Sequence, residues 1–209
     1  MIEANEIEAL FTRETGDYVF ARWGRALAPV AFGVEDQTLS VIKGAIDAVC
    51  QLAGHESTDM DPELGSNFMW FFMKDWAELL EVPKLDQLVP DLEPLVQRLL
   101  DGNANQYRIF RFDDEGAIQA CFVFLRMDDT LSDLSAETLA LSQVVQSIVL
   151  WSDMAFQKQS ALAVAKGTTV LRPEIAAVIR AAYDPVMPVS SQDPTHAMRV
   201  AARVMQSLQ

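Results

Sequence analysis

A mixed α/β or α+β layer is what this chain predicts. Three observations carry that reading: a strand–helix–strand opening, a later hairpin, and a helix-rich C-terminal stretch. A chain of 209 residues is long enough for one such domain to bury a core without disulfides or a structural metal. With 50% hydrophobic and 22% charged residues, the composition is that of a folded globular chain. We expect a single domain over 1–209, with a peripheral polar segment at 1–18, a helical insertion or flap at 74–101 and a helical C-terminal part at 169–209.

The elements follow in order. RALAPVAFGV (25–34) is a strand entering the core, and Asp36 is placed to cap the helix after it. Leu39, Ile42, Ile46, Val49 and Ala53 recur at three- and four-residue steps, and Gly54 suits the C-terminal cap. After the loop HESTDMDPELG, NFMWFFM (67–73) reads as a buried strand. Leu85, Leu88, Leu92, Leu95 and Leu99 keep helical spacing, but Pro83, Pro90 and Pro94 interrupt it, which predicts two or three short helices. NQYRIFRF (105–112) and AIQACFVFLRM (117–127) flank DDEG, a hairpin turn with glycine available for positive φ. In the second strand Ile118, Ala120, Phe122 and Phe124 share one face, while Cys121, Val123 and Leu125 share the other, so both faces are expected to be covered. Ser135 caps a helix running to about Trp151, and Pro173 opens another that ends near Tyr183. Asp193-Pro194 opens the last helix, with Met198, Ala201, Met205 and Leu208 on one face.

Charge narrows the function classes. A formal net charge of −14 disfavours nucleic acid, whose affinity comes from Lys and Arg displacing counterions, and disfavours anionic membrane surfaces. FMWFFM is too short to span a bilayer, and MIEANEIEALFTRETGDY has no basic stretch followed by an apolar run, so a cytoplasmic location is expected. Cys50 and Cys121 sit in apolar segments without metal spacing and read as buried reduced thiols. His55, in a polar loop, and His196, in a first helical turn, read as solvated. No phosphate-binding glycine loop, dinucleotide fingerprint, G-x-S-x-G elbow or calcium loop appears, so no cofactor is expected.

LSQVVQSIVLWSD (141–153) carries the candidate site. At 100° per residue, Ser142, Gln146 and Asp153 form a narrow stripe, with Gln143 and Ser147 beside it. Val144, Val145, Ile148 and Trp151 occupy the other half, so packing of that half on the sheet accounts for the pattern by itself.

The order of elements around this helix, however, resembles the catalytic domain of zincins. Metzincin proteases carry H-E-x-x-H-x-x-G-x-x-H on such a helix, with the histidines on zinc and the glutamate activating water. Under that resemblance Ser142, Gln146 and Ser152 take the places of the histidines, Gln143 that of the glutamate and Val149 that of the glycine. Downstream, TVLRPEIAAVIRAAYDP (169–185) resembles the segment that follows a metzincin site, with its corner at Ala182-Tyr183-Asp184-Pro185. The chain also resembles an uncharacterised bacterial zincin-like family whose motif is similar to E-E-x-x-Q-x-x-G-L-x-N-D. Gln146, Leu150 and Asp153 match it, as do FARWGRALAPVAFGV, Leu-Ala-Gly at 52–54 and Ser66-Asn67. Val149 departs from the glycine, and no methionine lies between Met154 and Met187 to form a methionine turn.

Serine hydroxyls and neutral amides are poor zinc donors, so the resemblance implies a scaffold that has lost its metal, with no metal ligand and no catalytic residue assigned. It implies a cleft, between the helix of 136–151 and the flap of 74–101, that binds a peptide or partner protein. Its hydrogen-bonding residues would be Ser142, Gln143, Gln146, Ser152 and Asp153. Two other expectations stand beside it: a hydrolase using a carboxylate such as Asp153, and a structural subunit whose oligomer face is Leu85–Leu99. The sequence leaves the oligomeric state open.

Overall fold

A computed structural model describes residues 2–206. Its centre is a mixed four-stranded sheet in the order β2-β3-β5-β4. Strands β2 (Pro29–Phe32), β3 (Phe68–Met73) and β5 (Ile118–Arg126) are parallel, and β4 (Gln106–Phe112) returns antiparallel to β5 as an edge. This is the expected mixed α/β arrangement.

Alternation along the strands sorts their side chains between two cores. Phe68 and Trp70 of β3, with Cys121, Val123 and Leu125 of β5, face the main core. That core is covered by α2 (Asp36–Ala53), α6 (Ala136–Ser147) and α7 (Pro173–Ala182). Phe71, Met73, Phe122 and Phe124 face the other side, where the flap closes a second core. Ile118, expected to share the face of Phe122, instead joins the main core, where Trp23 bridges to it.

The flap comprises a 3₁₀ turn at Trp76–Glu81, α3 (Leu85–Leu88) and α4 (Leu92–Asp101), as the prolines indicated. It lies across the sheet from α6, so no cleft forms between the two. Leu85, Leu92, Leu95 and Leu99 are buried against the sheet and only Leu88 of that stripe is exposed, so the stripe is not an open oligomer face.

Three further expectations change. Residues 2–18 are not peripheral: α1 (Ala4–Ala9) delivers Ile7, and the following loop delivers Phe11 and Tyr18, all buried in the main core. Apolar residues spaced among charges were enough to anchor a segment that is polar on average. Glu35, not Asp36, holds the N-cap of α2, and its side chain makes no capping bond; Gly54 closes the helix at φ 67° as expected. In α8 (Thr195–Gln206) the buried face is His196, Ala197, Val200 and Val204, whereas Met198 and Met205 are exposed; Leu208 lies outside the described residues.

The remaining elements are short. A two-stranded ladder pairs β1 (Phe20–Ala21) with β8 (Ser190–Ser191). The helical turn α5 (Asp129–Ser132) precedes α6. A hairpin of β6 (Leu162–Ala165) and β7 (Thr168–Leu171), not anticipated from the sequence, turns through Lys166 and Gly167, both at positive φ. Among the described residues no helix is long and apolar enough to cross a membrane.

Candidate binding groove

Helix α6 stops at Ser147, short of Trp151, because donors from elsewhere take its last carbonyls. Trp151 Nε1 donates to Val145 O at 2.7 Å and Trp23 Nε1 to Ser147 O at 2.9 Å. The buried Tyr183 hydroxyl donates to Ile148 O at 2.7 Å. Such partners satisfy carbonyls that a helix end leaves open. No residue from Ile148 to Asp153 has positive φ, so this exit needs no glycine at Val149. Val149 then pairs with Arg22, and Leu150 N–H donates to Ala21 O at 2.8 Å. The chain after Ser147 therefore runs beside β1, and Asp153 does not extend the Ser142–Gln146 stripe.

This run, the β1–β8 ladder and edge strand β4 enclose a groove of about 1300 Å³. Arg126 N–H donates to Asn105 O at 2.9 Å, which sets the phase of the β4–β5 ladder. By the alternation of antiparallel bonding, Tyr107 and Ile109 bond β5, while the N–H and C=O of Gln106, Arg108 and Phe110 point away from it. Among the described residues no strand of the sheet lies beyond β4. The side chains of Tyr107 and Ile109 pack on the flap core, and Phe110 packs on the main core.

The five residues singled out from the sequence divide. Gln143 is buried, accepts from Arg108 Nη2 and donates through Nε2 to Gln106 Oε1 at 3.0 Å. Gln146 lines the groove, and its Nε2 donates to Ser142 Oγ at 2.9 Å. Ser152 is occupied by the N-terminal segment: its Oγ donates to Thr12 O at 2.5 Å, and its N–H donates to Leu10 O at 2.8 Å. Asp153 sits at the exposed rim, where Oδ1 accepts from Glu14 N–H at 3.1 Å and lies 3.1 Å from Ser152 Oγ. The frame of Ser142, Gln146 and Ser152 thus splits between a helix face and a tether.

Arg108 was not read from the sequence, although the signal was present. In NQYRIFRF it shares a strand face with Phe110, which is the face toward the main core, and an arginine there requires partners. It finds only amides. Nη2 donates to Gln106 Oε1 at 3.2 Å and to Gln143, and Nε is buried without a partner. Burial lowers its pKa to about 10.

Neither histidine is solvated as expected, and neither lines the groove. His196 is 2% exposed, its Nδ1 lies 2.7 Å from the Tyr18 hydroxyl and its ring lies 4.3 Å from that of Phe20. His55 Nε2 meets Arg25 O at 2.9 Å, its ring stands 5.0 Å from that of Tyr183, and desolvation holds its pKa below the usual value. Cys50 and Cys121 are buried free thiols, each pushed up to about 12 by desolvation, which suppresses thiolate chemistry. Among the described residues no group of three or more His, Cys, Asp or Glu is placed to hold a metal ion. No protein-family model, no curated protein and no solved structure matches the chain.

Proposed function

We propose that this chain is a zincin-like scaffold without catalytic zinc, whose groove binds an extended peptide or protein segment as an added strand on β4. The observation that carries the reading is the open edge of β4: its outward backbone groups face a groove of about 1300 Å³ and, among the described residues, no further strand. Strand addition of this kind draws affinity from main-chain hydrogen bonds and specificity from pockets for alternate side chains. The order strand, helix, strand, hairpin, helix supports the scaffold part of the reading. Gln146, Gln106 and Arg108 are the hydrogen-bonding side chains that line the groove, and buried Gln143 holds the last two from behind; Asp153 marks the rim.

The test is a display library of random peptides of about eight residues, the length of a long strand, selected on the full chain. With a selected peptide bound, amide hydrogen exchange at Gln106, Arg108 and Phe110 slows by about tenfold or more, as expected where outward N–H groups gain partners. Tyr107 and Ile109, already bonded to β5, change little. Protection confined to any other surface overturns the reading, as does a library that yields no binder. Stoichiometric zinc in protein purified without chelator would overturn its metal-free part.

A further inference from the structure

We infer that the groove takes a carboxylate on Arg108, carried by an acidic side chain or by the C-terminus of the segment laid along β4. The inference rests on the added-strand reading and names the chemistry of the partner.

Arg108 is a cation without a counter-charge in a chain rich in acids. The sequence holds 30 Asp and Glu against 16 Lys and Arg, yet none of the ion pairs among the described residues involves Arg108. Its side-chain hydrogen bonds run from Nη2 to the neutral amides Gln106 and Gln143. Nη1 makes none, and Nε is buried without a partner. A guanidinium offers five donors, and those of Nη1 remain free for a carboxylate oxygen.

Position makes this a site and not merely an unfavourable burial. Arg108 lies midway along β4, at a residue whose own N–H and C=O point to the open edge. A strand added there sets every second side chain on the face of Arg108, beside the guanidinium. Gln106 and Gln143 hold the fork in place, because Gln143 also donates to Gln106. They orient the cation without neutralising it. A clamp needed only to join two amides would not require a charge, and an apolar side chain would suit the neighbouring Phe110 better. Arg13, at the groove rim, makes no ion pair among the described residues either, so a second cation is available to an acidic segment.

The net charge of −14 repels an acidic partner at a distance. Salt screens that repulsion beyond roughly 8 Å at physiological strength, whereas a desolvated contact at Arg108 is screened far less. Recognition is therefore local, and it distinguishes an acidic residue in register with Arg108 from one elsewhere on the peptide.

The experiment has two arms on the full chain. In the first, random peptides are displayed with free and with amidated C-termini and selected on wild type and on Arg108→Gln. In the second, the Arg108 Nε–Hε resonance, identified by its absence from Arg108→Lys, is followed as sodium acetate and then acetamide are added. We expect acid-bearing binders from wild type that weaken about tenfold or more, on the scale of a lost charge-assisted contact, when Arg108 becomes Gln or their acid becomes amide. The two losses should not add when combined. Binders that persist only with a free C-terminus assign the terminal carboxylate, and those indifferent to amidation assign a side chain. Acetate moves the resonance saturably and acetamide does not. Peptides without acid preference that bind Arg108→Gln as tightly as wild type overturn the inference and leave strand addition standing. An acetate response with no selected peptide does the reverse: it keeps the carboxylate site and removes the strand. A flat acetate titration with no acidic binders removes the inference altogether. Far-UV circular dichroism of both variants confirms that they are folded, and Arg108→Lys, which keeps the charge, retains part of the binding.

Discussion

The two faces of β4 are built to different rules. On the flap side Tyr107 and Ile109 pack into a core of leucine, valine and aromatic side chains that excludes water. On the other side the covering helix presents Gln143 and Gln146 toward the edge, and the strand answers with Gln106 and Arg108. Apolar residues there would extend the main core at less desolvation cost. The same strand thus meets an apolar core on one face and carries a polar, charged cluster on the other. Stability alone does not call for a charge beneath the covering helix, and the proposed binding role rests on that difference.

The largest expected effect breaks the sealed face. Trp76, at the start of the flap, is fully buried, and its Nε1 donates to Ala104 O at 2.8 Å. Trp76→Ala removes that bond and opens a cavity, and we expect urea denaturation to record a loss of about 3–5 kcal/mol. Peptide binding at the groove, measured where the variant is still folded, should change little, since the sheet stands between them. A groove that fails at low denaturant together with the flap would show that the two faces are coupled.

Acid tests the groove wall instead. His196 packs behind it, against Tyr18 and Phe20, and Phe20 lines the groove. Burial first, then Arg199, lowers its pKa to about 4, with Asp193 opposing. The folded protein therefore holds His196 neutral while the unfolded chain binds a proton near pH 6.5. Between those values the unfolded state carries more protons, so stability falls as pH drops from about 6.5 to about 4 and levels off below. We expect a loss of about 1–3 kcal/mol across that window. The slope should flatten in His196→Gln. Hydrogen exchange should report α1, α8 and β1 opening before the flap, which contains no histidine.

A smaller effect should run in the opposite direction. In the double variant Arg108→Met with Gln143→Leu, a half-buried cation and its buried amide partner give way to apolar side chains beside Phe110. We expect a gain of about 1–2 kcal/mol, as when other buried charged clusters are replaced by hydrophobic residues. The melting temperature should rise while groove binding is lost. A variant that is destabilised would place the cluster with the structural elements and erase the contrast between the two faces.

Legibility in the sequence follows the same division. The sealed parts were readable because periodicity reports burial: FMWFFM, the α2 stripe, the hairpin and the proline-broken flap all appear where expected. The side of the sheet on which the flap packs was not readable, since alternation separates two faces without saying what covers each. That ambiguity put the cleft in the wrong place. The end of α6 was hidden for a related reason. Trp151 continues the apolar stripe in sequence, yet its indole folds back onto Val145 O, and Trp23 and Tyr183 supply the other donors from distant segments. Asp153 was consequently grouped with Ser142 and Gln146 on a helical spacing that no longer holds at that position. Arg108 was legible as an anomaly, but only the structure shows that no acid answers it.

Gln146 offers the smallest effect on stability and the finest test of the comparison. It faces the groove, and its only side-chain hydrogen bond among the described residues runs to Ser142 one turn back on the same helix. A partly exposed pair of this kind contributes a few tenths of a kcal/mol, and alanine is a better helix former than glutamine. Gln146→Ala should therefore leave thermal stability within about 0.5 kcal/mol of wild type, as surface substitutions usually do. If the groove is a binding face, the same change weakens a selected peptide measurably, because an amide that could meet the added strand is gone. Binding that is unchanged while stability drops would make Gln146 part of the packing of α6. The open face would then reduce to Arg108 and the bare edge of β4, and the peptide would have to be recognised by those two alone.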